Sequence, residues 1–159
     1  MRLWHQYLIP YLDNKRLLGQ HRECCALRGS GWGRKHSVVN YVFEHHVAYL
    51  IQYHSLVMGE CVIRGFKIDN KWYDLNYRGK NTPKFSGDAI NGRIYVENIN
   101  MKHFEKSNSH ITDPCIYKEH DINYLRECLL NLKAKNAELK CVSIDELLIQ
   151  CDLHDQSSS

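Results

Sequence analysis

The stretch "LLGQHRECCALRG", residues 17–29, decides the reading of the fold. Asp13 and Asn14 stand before it as candidate caps and the "GSG" of residues 29–31 follows as a stop, so the segment predicts a helix over residues 14–28. At about 100° per residue, Arg16, Gln20, Glu23 and Leu27 share a stripe bordered by Gly19, Arg22 and Ala26. Leu17, Leu18, Cys24 and Cys25 lie largely on the other side, where a core wants them. One carboxylate therefore stands among arginines on a polar face, and Gly19 leaves that face bare enough for another group to approach. Helix geometry alone is equally consistent with a surface Arg and Glu network of little energetic weight.

Working outward, Val47, Leu50, Ile51, His54, Val57, Met58 and Cys61 recur at three- and four-residue spacing and predict a second helix that Gly65 terminates. A third is expected from about Asp121 to Asn136, with Ile122, Leu125, Cys128, Leu129 and Leu132 on one side. Ser143 and Glu146 have capping-box spacing, which predicts a short final helix. Between residues 67 and 115 the pattern dissolves into Gly, Asn, Asp and Pro, with "RIYVENI" (residues 93–99) as the one strand candidate. In the same region "KWYDLNYRGK" (residues 71–80) interleaves aromatic and basic side chains. Such a mixture suits contact with bases and phosphates, or else Trp72 and Tyr73 pin the loop to the core. The expected fold is mainly α: a single compact domain of three principal helices over residues 1–150, with a long irregular insertion at 69–115 and a short C-terminal helix. Residues 151–159, ending "DQSSS", are expected to be a disordered tail.

At 159 residues the chain is long enough for one real core and too short for two full-sized ones. No stretch approaches the roughly 20 apolar residues of a membrane span, and the N-terminus lacks the order of a signal peptide, so no membrane partner and a cytoplasmic protein are expected. Seven cysteines, two of them adjacent at positions 24 and 25, suit reduced thiols packed as small apolar groups better than a disulfide framework. "CDLH" (residues 151–154) has ligand-like spacing, but no second Cys or His pair sits at zinc-finger distance, so no metal site is assigned. Charge is uneven. The whole chain carries +3, whereas residues 14–36 hold six cations against Glu23 alone, a net of +5. A basic stripe of this kind is an electrostatic footprint for a polyanion, or simply a solvated face.

Three segments then narrow the choice. "RLLGQHRE" (residues 16–23), "RKH" (34–36) and "GECVIRGFKI" (59–68), in that order, resemble the pyrimidine-dimer DNA glycosylase family. The likeness covers residues 1–68 well and returns faintly over 116–138, where "IYKEHDINYLREC" is similar to the family's third helix. Nothing can be carried onto residues 69–115 or beyond 139. The resemblance implies a DNA repair glycosylase and abasic-site lyase acting on damaged double-stranded DNA, as a monomer, with no metal or organic cofactor.

In that family the nucleophile is the α-amine of the first residue and a helix glutamate assists at the sugar, which carries over as Met1 and Glu23. The register requires Met1 to be retained, as the bulk of Arg2 leads one to expect. An α-amine suits the role: at its reference pKa of about 7.7–8.0 roughly 10% is free base at pH 7, several hundred times the fraction for a lysine. The resemblance further implies phosphate contacts at Arg2 and Arg22, and DNA contacts at Arg16, Gln20, His21, Lys35 and His36. Ala26 replaces a family arginine, and Arg28 is the candidate substitute. A kinked duplex with an extruded nucleotide is implied as well. The lesion itself stays open. So do two other classes: a non-catalytic nucleic-acid-binding module of the same fold, and a small metal-stabilised interaction protein using the C-terminal Cys and His residues.

Overall fold

The computed structural model describes residues 2–86 and 111–157. The described residues form helices α1 (Asn14–Arg28), α2 (Val47–Ile63), α3 (Ile122–Ala134) and α4 (Ile144–Ser157) together with short 3-10 turns, with no strand among them. The strand expected over residues 93–99 lies outside them.

Local chemistry sets the helix ends. Asp13 caps α1 by accepting from the Arg16 amide, and at the other end the Gly31 amide returns 3.0 Å to the Ala26 carbonyl. A Cβ at Gly31 would stand 2.7 Å from that oxygen, so the stop admits only glycine. α2 closes through Gly65 at φ +87°, which lets the Phe66 amide reach the Cys61 carbonyl at 2.9 Å. Asp121 caps α3, and Ser143 Oγ caps α4 by accepting from the Glu146 amide at 3.0 Å.

α1 packs on α2 and α3 on α4, around a core that the first dozen residues enter directly. Leu3, Leu8, Ile9 and Leu12 are fully buried alongside Leu17 and Cys24 of α1, Leu50 and Tyr53 of α2, and Leu125, Leu129 and Leu132 of α3. Each such aliphatic side chain contributes about 1.5–3 kcal/mol. All seven cysteines are free, and four are buried among these groups.

Two expectations change at the C-terminal end. The closing helix is not short: it has 14 residues and runs through Ser157, so most of the segment expected to be disordered is helical. Leu147 and Cys151 are buried one turn apart, flanked by partly buried Ile144 and Leu148, while Ile149 and Leu153 stay exposed, so apolar residues on both sides of the helix blur the seam in sequence. Exposed pairs, Arg126 with Asp152 and Asp155 and Lys133 with Asp145, line its edge and add little by themselves.

Three histidines are buried, and among the described residues none forms a salt bridge. His120 accepts from the Gln6 amide at Nδ1 and donates from Nε2 to Tyr41 Oη at 2.7 Å, while His5 and His54 are 1% and 0% exposed. Burial lowers all three pKa values, that of His5 to about 4. Each ring is neutral in the fold yet takes up a proton when the chain unfolds below pH 6.5, so stability is complete above that pH and falls as the medium is acidified. His5 alone accounts for about 2 kcal/mol between pH 6.5 and 5. The urea midpoint is therefore expected to drop sharply from pH 7.5 to pH 5. An unchanged midpoint would refute the neutral assignment.

Candidate active site

The site begins with the way residues 2–5 are held. Arg64, paired with Glu60 at 2.9 Å near the end of α2, donates to the carbonyls of Leu12 and Pro10 at 2.6 and 3.1 Å. "GECVIRGF" thus acts as a clamp on the turn before α1. Ahead of that turn the chain runs extended across α1, and Gln20 grips it from both sides. Its Oε1 accepts from the Trp4 amide at 2.7 Å, and its Nε2 donates to the Arg2 carbonyl at 3.0 Å. Tyr53 donates to the Trp4 carbonyl at 2.6 Å, and Tyr124 of α3 donates to the Leu3 carbonyl. This threading brings the Arg2 amide nitrogen 3.1 Å from Glu23 Oε2, which also accepts from Gln20 Nε2 at 3.3 Å.

Beside Glu23 opens a cleft of about 240 Å³. Arg2, Trp4 and His36 line it from the N-terminal half, and Asn131 and Lys135 of α3 close the far wall. The Arg2 guanidinium lies 5.7 Å and Lys135 Nζ 5.9 Å from the Trp4 ring, so an apolar floor carries two cations. Arg2 also meets Glu127 at 3.4 Å on the rim. Asn131 Oδ1 is buried with no hydrogen-bond partner among the described residues, an acceptor left for whatever enters. Sequence reading missed the α3 wall. Its signal was the spacing of Glu127, Asn131 and Lys135, a polar stripe at four-residue intervals opposite the apolar one. A larger cleft of about 680 Å³ where α3 meets α4 shares no lining residue with this one and holds no comparable pairing of carboxylate and cations facing the chain start.

The expected site residues divide into groups. Met1 lies outside the described residues. Arg2, Glu23 and His36 come together in the cleft, and Arg22 and Lys35 are exposed nearby in sequence on α1 and the following loop. Arg16 is half-buried and paired with Asp13 at 3.2 Å, within the helix cap.

Three of the expected DNA contacts have partners within the fold. Gln20 is 1% exposed because the N-terminal segment covers it, and it holds the Arg2 and Trp4 backbone; Leu27, on the same stripe, is buried in the core. Arg28 is 0% exposed and cannot substitute at the surface for a cation at position 26. It donates to the carbonyls of Trp72, Asp74 and Tyr77 at 3.2, 2.9 and 3.0 Å, and its cation lies 5.1 Å from the Trp72 ring. His21 is half-buried and packed on His54, with ring centroids 5.0 Å apart, away from the cleft.

His21, Cys25 and His54 bring three ligand-type atoms within 4.8 Å of one another, the one such group among the described residues; "CDLH" makes none. The proton inventory opposes a cation here. Arg28 Nη1 donates to His54 Nδ1 at 3.0 Å, and a guanidinium can only donate. Neutral His54 therefore carries its proton on Nε2 and points it at His21 Nδ1, 2.8 Å away. A metal at that position has to displace this proton beside a fixed positive charge, the reverse of the usual carboxylate or carbonyl behind a metal-bound imidazole. Burial raises the Cys25 thiol to about 12, further from the thiolate a cation needs. The group is better described as a relay of hydrogen bonds from Arg28 through His54 to His21.

The threaded start, the carboxylate at its end and the cationic cleft beside them all fall in the first half of the chain or face it. Residues 1–74 match the pyrimidine dimer DNA glycosylase family. The glycosylase match thus takes in the N-terminal segment, α1, α2 and the 3-10 turn at Asn70–Tyr73, and supports the resemblance carried by "RLLGQHRE", "RKH" and "GECVIRGFKI". DNA repair glycosylase is the activity class it supports. α3 and its cleft residues lie beyond the matched segment. Neither curated proteins nor solved structures provide a match to the chain.

Proposed function

We propose that this chain is a DNA N-glycosylase with abasic-site lyase activity, acting on pyrimidine dimers or related damaged pyrimidines in duplex DNA. The observation that carries the reading is the 3.1 Å contact between the Arg2 amide and Glu23 Oε2, because the residue before Arg2 is tethered to that nitrogen by a single peptide bond. The α-amine of Met1 attacks C1′ of the damaged nucleotide, and the glycosidic bond breaks with its electron pair leaving on the base, which takes up a proton. The amine nitrogen loses a proton, the C1′–O4′ bond breaks with its electron pair and a proton going to the ring oxygen, and the nitrogen lone pair forms the C1′ iminium. Glu23 then removes a proton from C2′; the C3′–O bond breaks and the 3′ phosphate departs. Water finally hydrolyses the imine and releases the amine.

Arg2 and Lys135 hold phosphates at the cleft, Arg2 through its planar fork, while Arg22, Lys35 and His36 extend the contact along the backbone. The cleft is reached by extruding a nucleotide from a kinked duplex, and the protein acts as a cytoplasmic monomer without metal or cofactor.

Borohydride reduction tests the covalent step. With a duplex containing an abasic site, the native protein is expected to form a stable adduct whose mass maps to the peptide beginning at Met1, and N-terminal acetylation should remove it. An adduct on a lysine, or none at all, sinks the amine assignment, as does an intact mass lacking the initiator.

A further inference from the structure

The segment "KWYDLNYRGKNTPK" (residues 71–84) lies mostly outside the glycosylase match, and the catalytic cleft uses none of it. Its backbone sorts the side chains by direction. Asp69 caps the 3-10 turn at Asn70–Tyr73 by accepting from the Lys71 amide at 3.1 Å, and the turn packs Trp72 on His54 while Lys71 stays exposed. Gly79, at φ +94°, reverses the chain between two cations. Arg78 goes inward to the carbonyls of Arg28 and Gly29 at 2.8 and 3.1 Å, and Lys80 goes outward. Lys71, Lys80 and Lys84 line an open cleft of about 550 Å³ together with Tyr77 and Thr82. Asp74 is taken by Lys84 at 2.6 Å; among the described residues neither Lys71 nor Lys80 pairs with a carboxylate.

The position of this cleft follows from α1. Lys15, Arg22 and Ala26 form the exposed strip of that helix. Glu23 turns off one side of the strip into the catalytic cleft, and His21 turns off the other, where it meets the edge of Trp72 at 6.5 Å. An α-helix is about 10–12 Å across, narrower than a DNA duplex, so a duplex seated on Lys15 and Arg22 overhangs both flanks. We propose that residues 71–84 form a second wall of the DNA-binding surface, with Lys71 and Lys80 taking backbone phosphates on the flank opposite the catalytic cleft. Arg28 is the buried post on which that wall is mounted. The inference rests on the proposed action on DNA.

The test is a salt titration of binding, by fluorescence anisotropy, to an undamaged duplex and to the same duplex with a lesion. Compared with the native protein, a K71Q/K80Q variant is expected to lose about tenfold in affinity at low salt on both duplexes. Its plot of log K against log salt should be shallower by about 1–2, since each lost phosphate contact removes about 0.9. A slope and affinity equal to the native protein's overturn the second wall and leave the glycosylase reading standing. So does an equal loss in K118Q/K140Q, whose exposed lysines line neither cleft, because the effect is then net charge alone. A native protein with no salt-dependent DNA binding removes both readings.

Discussion

Glu23→Gln is expected to lower single-turnover incision of a lesion-containing duplex by about 10²–10⁴-fold, the range for loss of a positioned general base. The substitution is chosen for what it keeps. A glutamine oxygen can still accept from the Arg2 amide, now 3.1 Å from Glu23 Oε2, so the chain start stays where it is. Gln20 goes on holding the Arg2 carbonyl and the Trp4 amide. Only the basic carboxylate is removed. Binding to the same duplex should change little, because the cations of the cleft are untouched. Glu23→Ala removes both the base and the tether, and is expected to lose borohydride trapping as well as incision. Incision by the glutamine variant within a factor of ten of the native rate would take the carboxylate out of the mechanism.

How much of this was legible depended on how local each cause is. The limits of α1 were readable because Asp13 and the glycines at 29 and 31 act within one turn of the helix they bound. His54 was readable as a core position because its neighbours at three- and four-residue spacing are apolar, and it is fully buried. Gln20 and Arg28 were misjudged for one shared reason: both sit on α1, and what covers each is distant in sequence. The N-terminal segment lies over Gln20, and residues 72–77 lie over Arg28. A helical wheel locates a side chain on its own helix and says nothing about which loop arrives there. Trp72 illustrates the converse. An aromatic residue among lysines suits base stacking by composition, but its ring is taken by His54, Tyr77 and the Arg28 cation, which leaves Tyr73 and the lysines facing outward.

Arg28→Met is expected to cost about 3 kcal/mol of stability while leaving Glu23 in place. The native guanidinium makes four hydrogen bonds in a fully buried position with no carboxylate among their acceptors. Burial lowers its pKa, yet with its donors spread over three carbonyls and an imidazole it has no state in which it can leave the site cheaply. Methionine fills similar volume and avoids burying a charge, which offsets part of the loss. The carbonyls of Trp72, Asp74 and Tyr77 then lack a donor, at roughly 1 kcal/mol or more each. For a chain of this size the melting temperature should fall by about 6–12 °C. Lysine is not a rescue, since a point charge cannot serve three carbonyls set around a planar fork. Because Trp72 rests on this cation, its fluorescence should report loosening of residues 70–80 before the global transition, and salt-dependent DNA binding should weaken as it does in K71Q/K80Q. A melting temperature within 2 °C of the native value would mean that those carbonyls find other donors and that Arg28 does not hold the loop.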